Sequence, residues 1–184
     1  MPNLITISGA AARLAAANRV LVIGCSGGGK STLSIKIAAR FGLEYQSFDR
    51  DVRILPGWQV RDRTEQRDRV AELVSRERWV MDGNNPSSFD IRLPRADLVL
   101  WLRVPRRVAL MGLARRVLSN YGSVRIDMAE GCPEQLPDRE FLSYVWTFEQ
   151  EAASRFMAEL ERHGPEVPVV MLRSRKLAET LVAP

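Results

Sequence analysis

Hydrophobic residues follow two patterns along the chain, short continuous apolar runs and longer stretches with helical spacing. The short runs are rich in Val, Leu and Ile, which is typical of parallel strands buried on both faces. Five such runs are predicted strands, at residues 19–23, 43–49, 78–83, 96–102 and 167–172. Each run ends at or near Gly, Pro or a charged residue, so each strand is expected to be short.

Stretches with apolar residues three or four positions apart separate the strands and predict helices. They cover residues 31–41, 62–76, 105–119, 138–163 and 174–182. Asp62 and Asp138 are the expected N-caps of two of these helices. Alternating strands and helices predict right-handed crossovers and a parallel sheet covered on both faces, a three-layer α/β fold. Residues 120–137 contain Gly and Pro between two helices and predict a mobile loop.

Length and composition fit one globular domain. The chain has 184 residues, 46% of them hydrophobic and 27% charged. No apolar run approaches the ~20 residues that cross a bilayer, and no basic leader precedes the first strand, so we expect neither membrane spans nor a signal peptide. We therefore expect a cytoplasmic protein. With only Cys25, Cys132 and His163 as soft ligands, a disulfide framework and a four-coordinate zinc site are excluded.

The positive charge of the chain is concentrated in one segment. The net charge is +5, yet residues 92–125 carry eight arginines and one acid. Arginine without lysine suits bidentate contacts with phosphate or carboxylate, although a codon bias toward arginine would give the same ratio. Helical spacing prevents all these arginines from meeting one ligand. Arg115, Arg116 and Arg125, nearest the predicted mobile loop, are best placed to contact a transferring phosphate.

Residues 24–31 fit the phosphate-binding motif G-x-x-x-x-G-K-[ST] between a predicted strand and a predicted helix. Glycines allow backbone N–H groups to surround a phosphate, the lysine reaches the β- and γ-phosphates, and the serine hydroxyl binds Mg²⁺. The alternative is a glycine turn with a solvated lysine. The residues expected to contact the nucleotide are Gly24, Ser26, Gly27, Gly28, Gly29, Lys30, Ser31 and Thr32.

Acidic residues end two of the predicted strands. Asp82 ends the third strand, where it could bind Mg²⁺ or act as a turn residue. Asp49 and Asp51 end the second strand and would share one face if the chain remained extended. One of them could orient or deprotonate an acceptor hydroxyl. Alternatively, both pair with neighbouring arginines on a surface loop.

Trp58 follows a Pro-Gly turn and could form one wall of an acceptor pocket, whereas the core is the alternative place for a tryptophan.

Two further sequence elements of nucleotide hydrolases are missing. No Glu follows Asp82, and the chain has no Asn-Lys-x-Asp element for guanine. Mechanical ATPases and switch GTPases are therefore disfavoured.

Taken together, these motifs resemble the P-loop kinases of the adenylate kinase and shikimate kinase type. More narrowly, the chain resembles bacterial proteins labelled DNA topology modulation proteins. The segments that carry this resemblance are GCSGGGKST, the Pro-Gly-Trp at 56–58, WVMDGNN at 79–85, DIRLPRADLVLWLRVPR at 90–106, GCPE at 131–134, FLSYVWTF and LRSRKLAETL at 172–181.

The resemblance implies a five-stranded parallel sheet in the order 2-3-1-4-5 and the use of ATP with Mg²⁺. It further implies an acceptor-binding segment near residues 50–61, a lid near 120–137, and a loop with Arg173 and Arg175 near adenine. In nucleoside monophosphate kinases an arginine follows the Asp-Gly of the third strand, whereas Asn84 stands here, so Arg92 would have to replace it. The pair Asp49 and Asp51 is more similar to the acids of shikimate kinase-like enzymes.

The sequence therefore favours a single-domain kinase, residues 1–184, that moves the γ-phosphoryl group of ATP to a small-molecule acceptor. The acceptor would be a nucleoside, a nucleotide or a hydroxyl acid. One alternative is a nucleic-acid-associated ATPase that uses the basic block at 92–125. Another is a regulatory module that binds nucleotide without turnover. We expect no membrane partner, and the protein could be a monomer or a homodimer.

Overall fold

A five-stranded parallel sheet forms the centre of the computed structural model, which describes residues 1–183. Its strands are β1 (Arg19–Gly24), β2 (Glu44–Ser47), β5 (Trp79–Asp82), β6 (Leu98–Leu102) and β7 (Val169–Leu172). A short antiparallel hairpin lies outside the sheet. Its two strands, β3 (Ile54–Leu55) and β4 (Gln59–Val60), have two residues each. The sheet order is β2-β5-β1-β6-β7, which confirms the predicted 2-3-1-4-5 order once the hairpin strands are left out of the count.

Seven helices surround the sheet and join its strands. They are α1 (Ile7–Ala16), α2 (Lys30–Phe41), α3 (Arg63–Ser75), α4 (Phe89–Arg92), α5 (Arg106–Asn120), α6 (Arg139–His163) and α7 (Arg175–Thr180). The five predicted helices are α2, α3, α5, α6 and α7, and the side chains of Asp62 and Asp138 cap α3 and α6 as expected. Helices α1 and α4 were not predicted, since α1 has only two large apolar residues, seven positions apart, and α4 has only four residues.

The strands β1, β5, β6 and β7 are buried on both faces, as their apolar runs require, whereas the edge strand β2 begins at the exposed Glu44. Leu21, Met81 and Trp101 point to the face covered by α3, α5 and α6. Val22, Val80 and Leu100 point to the opposite face, which α1, α2 and α7 cover. These two hydrophobic layers fix the sheet between the helices, and all strand ends that carry the candidate chemistry lie on one edge.

Strand β2 ends earlier than the sequence pattern predicted. Phe48–Arg53 forms one wide helical turn, and the Ser47 side chain accepts a hydrogen bond from the Arg50 backbone N–H at its start. The expectation that Asp49 and Asp51 extend along one strand face is therefore wrong. Asp51 instead accepts hydrogen bonds from the Ser47 backbone N–H at 2.8 Å and from Arg50 Nε at 2.7 Å, which closes the turn.

The segment at residues 120–137 packs against the end of β2 and the hairpin. The Ser47 hydroxyl donates to the backbone carbonyl of Asp127 at 2.8 Å, and Arg50 Nη1 donates to that of Ile126 at 2.7 Å. Cys132 Sγ accepts a hydrogen bond from the Trp58 backbone N–H at 3.1 Å. In this conformation the segment covers the carboxyl edge of the sheet.

Candidate active site

A cavity of about 590 Å³ opens at the carboxyl edge of the sheet, between the loop after β1 and the segment at 120–137. Most of the residues that the sequence singled out line it. Among them are Ser26, Gly27, Gly28, Gly29, Lys30, Ser31, Thr32, Asp49, Asp82, Arg115, Arg116, Arg125 and Arg175. Ligands of parallel α/β sheets bind at this edge, so the cavity is the candidate active site.

The phosphate loop adopts a conformation that requires glycine. Gly24, Gly27 and Gly29 have φ angles of 140°, 74° and 104°, which other residues rarely adopt. At Gly27 a Cβ atom would also collide with the backbone carbonyl oxygen of Ala109 in α5. The loop therefore lies directly against α5, and its path depends on the absence of side chains at this contact.

The first turn of α2 presents unpaired donors to the cavity. Gly29 is the N-cap and supplies no side-chain cap, so the first N–H groups of α2 lack an intrahelical acceptor. Lys30 reaches across the loop, and its Nζ lies 3.2 Å from the Cys25 carbonyl oxygen. Backbone N–H groups, the positive end of the helix dipole and an ammonium group thus all lie at the phosphate loop, which is the combination of groups that binds phosphate.

Asp82 is buried at the end of β5, beside the phosphate loop, and is only 4% exposed. Tyr45 of β2 donates a hydrogen bond from its hydroxyl to Asp82 Oδ2 at 3.1 Å. Burial raises the pKa of Asp82 to about 6, while the Ser31 hydrogen bond and the charge of Lys30 act in the opposite direction. A carboxylate and a hydroxyl side by side supply the oxygen ligands that Mg²⁺ prefers, so the residues fit this ion.

Asp49 and Asp51 occupy different environments. Asp49 lines the cavity with a side chain that is 53% exposed, and Arg53 Nη1 lies 3.8 Å from its Oδ1. Asp51 is turned away and bound by Arg50, as the surface-loop alternative expected. Only Asp49 is therefore placed to contact an acceptor in the cavity, and Asp51 stabilises the turn that positions it.

A buried glutamate joins two of the three candidate arginines. Glu134, 5% exposed, lies 2.9 Å from Arg116 Nε and 2.8 Å from Arg125 Nε. Asp127 Oδ2 accepts a further hydrogen bond from Arg125 Nη1 at 3.1 Å. Burial and the nearby charge of Arg125 lower the pKa of Arg116. The two arginines repel each other, and the carboxylate of Glu134 between them offsets this repulsion. Arg115 lines the same cavity and is exposed.

Five of the predicted ligand-binding residues do not line the cavity: Gly24, Asp51, Trp58, Arg92 and Arg173. Arg92 is fully buried, and its guanidinium donates to the backbone carbonyls of Gly83, Asn84 and Asn85. Trp58 sits in the hairpin turn, and Arg173 is exposed near the end of β7. Arg92 thus supports the loop after β5. The guanidinium donors that would bind an acceptor phosphate are already used in these hydrogen bonds.

Arg175 lines the cavity in a manner that the sequence did not predict. Its Nη2 donates to the Gly27 carbonyl at 2.5 Å, and its Nε donates to the Gly28 carbonyl at 3.4 Å. These bonds hold the carbonyl groups on the outer side of the phosphate loop. Arg175 therefore helps to position the phosphate loop, and its location near adenine stays a prediction.

The sequence reasoning missed Tyr45, Asn84, Asp127 and Glu134. The Asn84 side chain accepts from the Gly24 backbone N–H at 2.9 Å and donates to the Tyr144 hydroxyl at 3.1 Å, which links the phosphate loop to α6. The clearest available signal was the GCPE segment, which contains Glu134 and belongs to the family resemblance.

Comparison with known proteins gives structural but no sequence matches. No family model and no curated protein matches the chain. Shikimate kinase from Bacteroides thetaiotaomicron gives a TM-score of 0.54 at 16% identity, over 90% of this chain and 94% of that one. Shikimate kinase from Acinetobacter baumannii, solved with shikimate, gives 0.50 at 14% identity, over 94% of both chains. A sugar kinase from Janibacter gives 0.46 at 18% identity, over 89% and 88%.

The chain has the shikimate kinase-like P-loop fold. This confirms the predicted fold class. At such low identities the similarity extends to the fold alone, so the narrower resemblance to the DNA topology modulation proteins is not confirmed. No helix among residues 1–183 is both long enough and apolar enough to cross a membrane.

Proposed function

We propose that the protein is a kinase that transfers the γ-phosphoryl group of ATP to a hydroxyl group of a small molecule. The observation that carries this proposal is the convergence of four groups on one cavity. They are the phosphate loop with Lys30, the Ser31 and Asp82 oxygens, the exposed carboxylate of Asp49, and the arginines at the rim. Phosphoryl transfer needs positioning and charge stabilisation more than covalent chemistry, and these groups supply both.

Each group has a distinct part in the proposed reaction. The loop amides and Lys30 bind the β- and γ-phosphates, with Ser31 and Asp82 as the Mg²⁺ ligands. Mg²⁺, when bound, neutralises charge on the phosphate oxygens. Asp49 accepts a hydrogen bond from the acceptor hydroxyl and orients it.

In the transfer step the acceptor oxygen forms a bond to the γ-phosphorus, and the bond from this phosphorus to the bridging oxygen breaks. The electron pair of that bond leaves with ADP, and the hydroxyl proton passes to Asp49. Arg115, Arg116 and Arg125 stabilise the charge on the transferring group. The segment at 120–137 is the lid that excludes water during this step.

Phosphotransfer is tested by ADP release from full-length protein with MgATP and a panel of nucleosides, nucleotides, sugars, sugar alcohols and hydroxyl acids. Lys30→Ala should lower kcat by at least about 100-fold, comparable to the loss of one preorganised donor in other enzymes. Lys176→Ala, an exposed lysine on α7, is the matched control and should retain full activity. Equal phosphotransfer by wild type and Lys30→Ala would contradict the proposal.

A further inference from the structure

Basic and acidic side chains lie mainly at opposite ends of the cavity. The sheet order places β2 and β5 on one side of the phosphate loop, and β6 and β7 on the other. The phosphate loop and the side that follows β6 and β7, together called the donor end, are basic, with one acid, Glu179, that pairs with Lys36. The basic residues of the donor end are Lys30, Lys36, Arg115, Arg116 and Arg175. The side that follows β2 and β5, the acceptor end, contains the carboxylates of Asp49, Asp82 and Asp127.

Arginines around the acceptor end are already bound by protein groups. Arg50 makes two hydrogen bonds to the Asp51 carboxylate, at 2.7 and 2.8 Å. Arg92 is buried with its guanidinium directed at three backbone carbonyls. Arg125 contacts two carboxylates, those of Asp127 and Glu134. The positive charge on this side is thus compensated within the protein.

Arg53 is the arginine nearest to the free carboxylate. Its Nη1 lies 3.8 Å from Asp49 Oδ1, and its side chain is 54% exposed. An exposed pair at this distance holds its partners weakly, so Asp49 stays available to a ligand. The acceptor end therefore offers the carboxylate of Asp49 as a hydrogen-bond acceptor, and its other arginines are not free to bind an anion.

We propose that the acceptor is an uncharged compound with neighbouring hydroxyl groups, of the sugar alcohol or nucleoside type. This inference rests on the proposed kinase function. Neighbouring hydroxyl groups can both donate to the two carboxylate oxygens of Asp49, and such charge-assisted hydrogen bonds are strong. A phosphate or carboxylate on the acceptor would find Arg125 already held by Asp127 and Glu134, and would face the charges of Asp49 and the γ-phosphate. The acceptor end thus selects against nucleoside monophosphates and hydroxyl acids.

Matched pairs of acceptors test this selection in full-length protein with MgATP. One pair is a pentitol and the corresponding pentonate, and the other is a nucleoside and its 5′-monophosphate. We expect kcat/KM for the uncharged member of at least one pair to exceed that of its anionic partner by at least tenfold. Turnover of the pentitol points to a free sugar alcohol, and turnover of the nucleoside points to a nucleoside acceptor.

The outcomes separate this inference from the proposed function. Faster turnover of the anionic members would overturn the inference and leave the kinase function standing. ADP release no greater than in Lys30→Ala with every acceptor would overturn the kinase function and the inference with it.

Charge variants provide a second test. Asp127→Asn removes one of the two carboxylates that hold Arg125, so the charge of this arginine becomes available to an anionic acceptor. The preference for the uncharged member should therefore fall by about threefold to tenfold. Asp68→Asn, an exposed acid on α3 outside the cavity, is the matched control and should leave the preference unchanged.

Arg53→Gln distinguishes an uncharged acceptor from an anionic one even if Asp127→Asn disturbs folding. For an uncharged acceptor, kcat/KM of Arg53→Gln should stay within about threefold of wild type. A rise of tenfold or more in the KM for the best acceptor would identify Arg53 as an anion-binding residue and overturn the inference.

Discussion

The donor end and the acceptor end of the cavity differ in how the chain builds them. At the donor end, the consecutive residues of the phosphate loop supply the backbone donors and the lysine. At the acceptor end, the groups come from the turn after β2, the end of β5 and the segment at 120–137. Ser47 and Asp127, which are hydrogen-bonded there, are 80 positions apart. One end depends on local backbone conformation, and the other depends on contacts between distant segments.

This difference implies different sensitivities to mutation. A substitution that moves the phosphate loop should weaken ATP binding and leave the lid intact. A substitution that breaks the ion pairs of the lid should slow transfer and leave ATP binding nearly unchanged.

The largest effect is expected at the donor end, for Gly112→Ala in α5. A methyl group at position 112 would collide with the Gly27 carbonyl oxygen and the Arg175 guanidinium, so it would displace the phosphate loop. Overpacking of this kind costs about 3 kcal/mol, equivalent to roughly a 100-fold change in an equilibrium constant. We expect the Kd for ATP to rise by about this factor, as measured by titration calorimetry.

Gly9→Ala is the matched control because Gly9 lies inside another helix, α1, where the nearest atom to an added Cβ is Thr6 Oγ1 at 3.3 Å. Alanine has a higher helix propensity than glycine, so this change should be neutral or stabilising. Gly112→Ala should gain the same propensity and still lose ATP affinity. An unchanged Kd for Gly112→Ala would show that the loop does not depend on this contact.

At the acceptor end, Glu134→Gln should separate transfer from binding. The neutral side chain leaves Arg116 and Arg125 without their shared partner, and their repulsion should open the lid. Breaking a buried ion pair costs a few kcal/mol, although part of this is recovered when the lid moves into water. We expect kcat to fall by about tenfold, with the KM for ATP within about twofold of wild type.

Glu130→Gln tests whether this effect is specific, since Glu130 is exposed in the same segment. It should change neither kcat nor KM. Hydrogen exchange adds a readout of lid position, because residues 120–137 should exchange faster in Glu134→Gln than in the control. Loss of ATP binding in Glu134→Gln would instead show that Glu134 supports the whole site and is not specific to the lid.

The sequence was sufficient for the features that depend on local pattern. Apolar runs predicted strands β1, β5, β6 and β7 because these strands are covered on both faces, and the motif at 24–31 predicted the phosphate loop. Asp62 and Asp138 were recognisable as caps because a cap acts within three residues. The order of the strands came from the family resemblance, and the structure confirmed it.

The arrangement of the charged residues could not be predicted in the same way. Asp49 and Asp51 have the same chemistry and nearly the same position, and only the turn at 48–53 separates their surroundings. Arg92 was a candidate ligand because its type suits phosphate, yet its guanidinium binds backbone carbonyls 7 to 9 residues away. Of the basic block at 92–125, Arg103 pairs with Glu149 and Arg106 lies over the Trp146 ring, so much of its charge is used within the fold.

The smallest effect is expected from the titration of Asp82. Burial raises its pKa to about 6 from 3.8, so the folded protein holds this proton between these values while the unfolded chain has lost it. The free energy of unfolding should therefore fall as the pH rises from about 4 to about 6, and stay low above that range. Asp82→Asn removes this ionisation and should be more stable than wild type at pH 7.5 by about 1 to 2 kcal/mol.

Denaturant unfolding with EDTA at pH 4.5 and 7.5 measures this difference, which should shrink to about a third at the lower pH. Asp49→Asn, the same change at a half-exposed carboxylate, is the control and should show no such gain at pH 7.5. Mg²⁺ with nucleotide should reverse the order at pH 7.5, because the ion stabilises the ionised carboxylate of wild type and has no such partner in Asp82→Asn. Equal stabilisation of both proteins by Mg²⁺ and nucleotide would show that Asp82 is not a Mg²⁺ ligand.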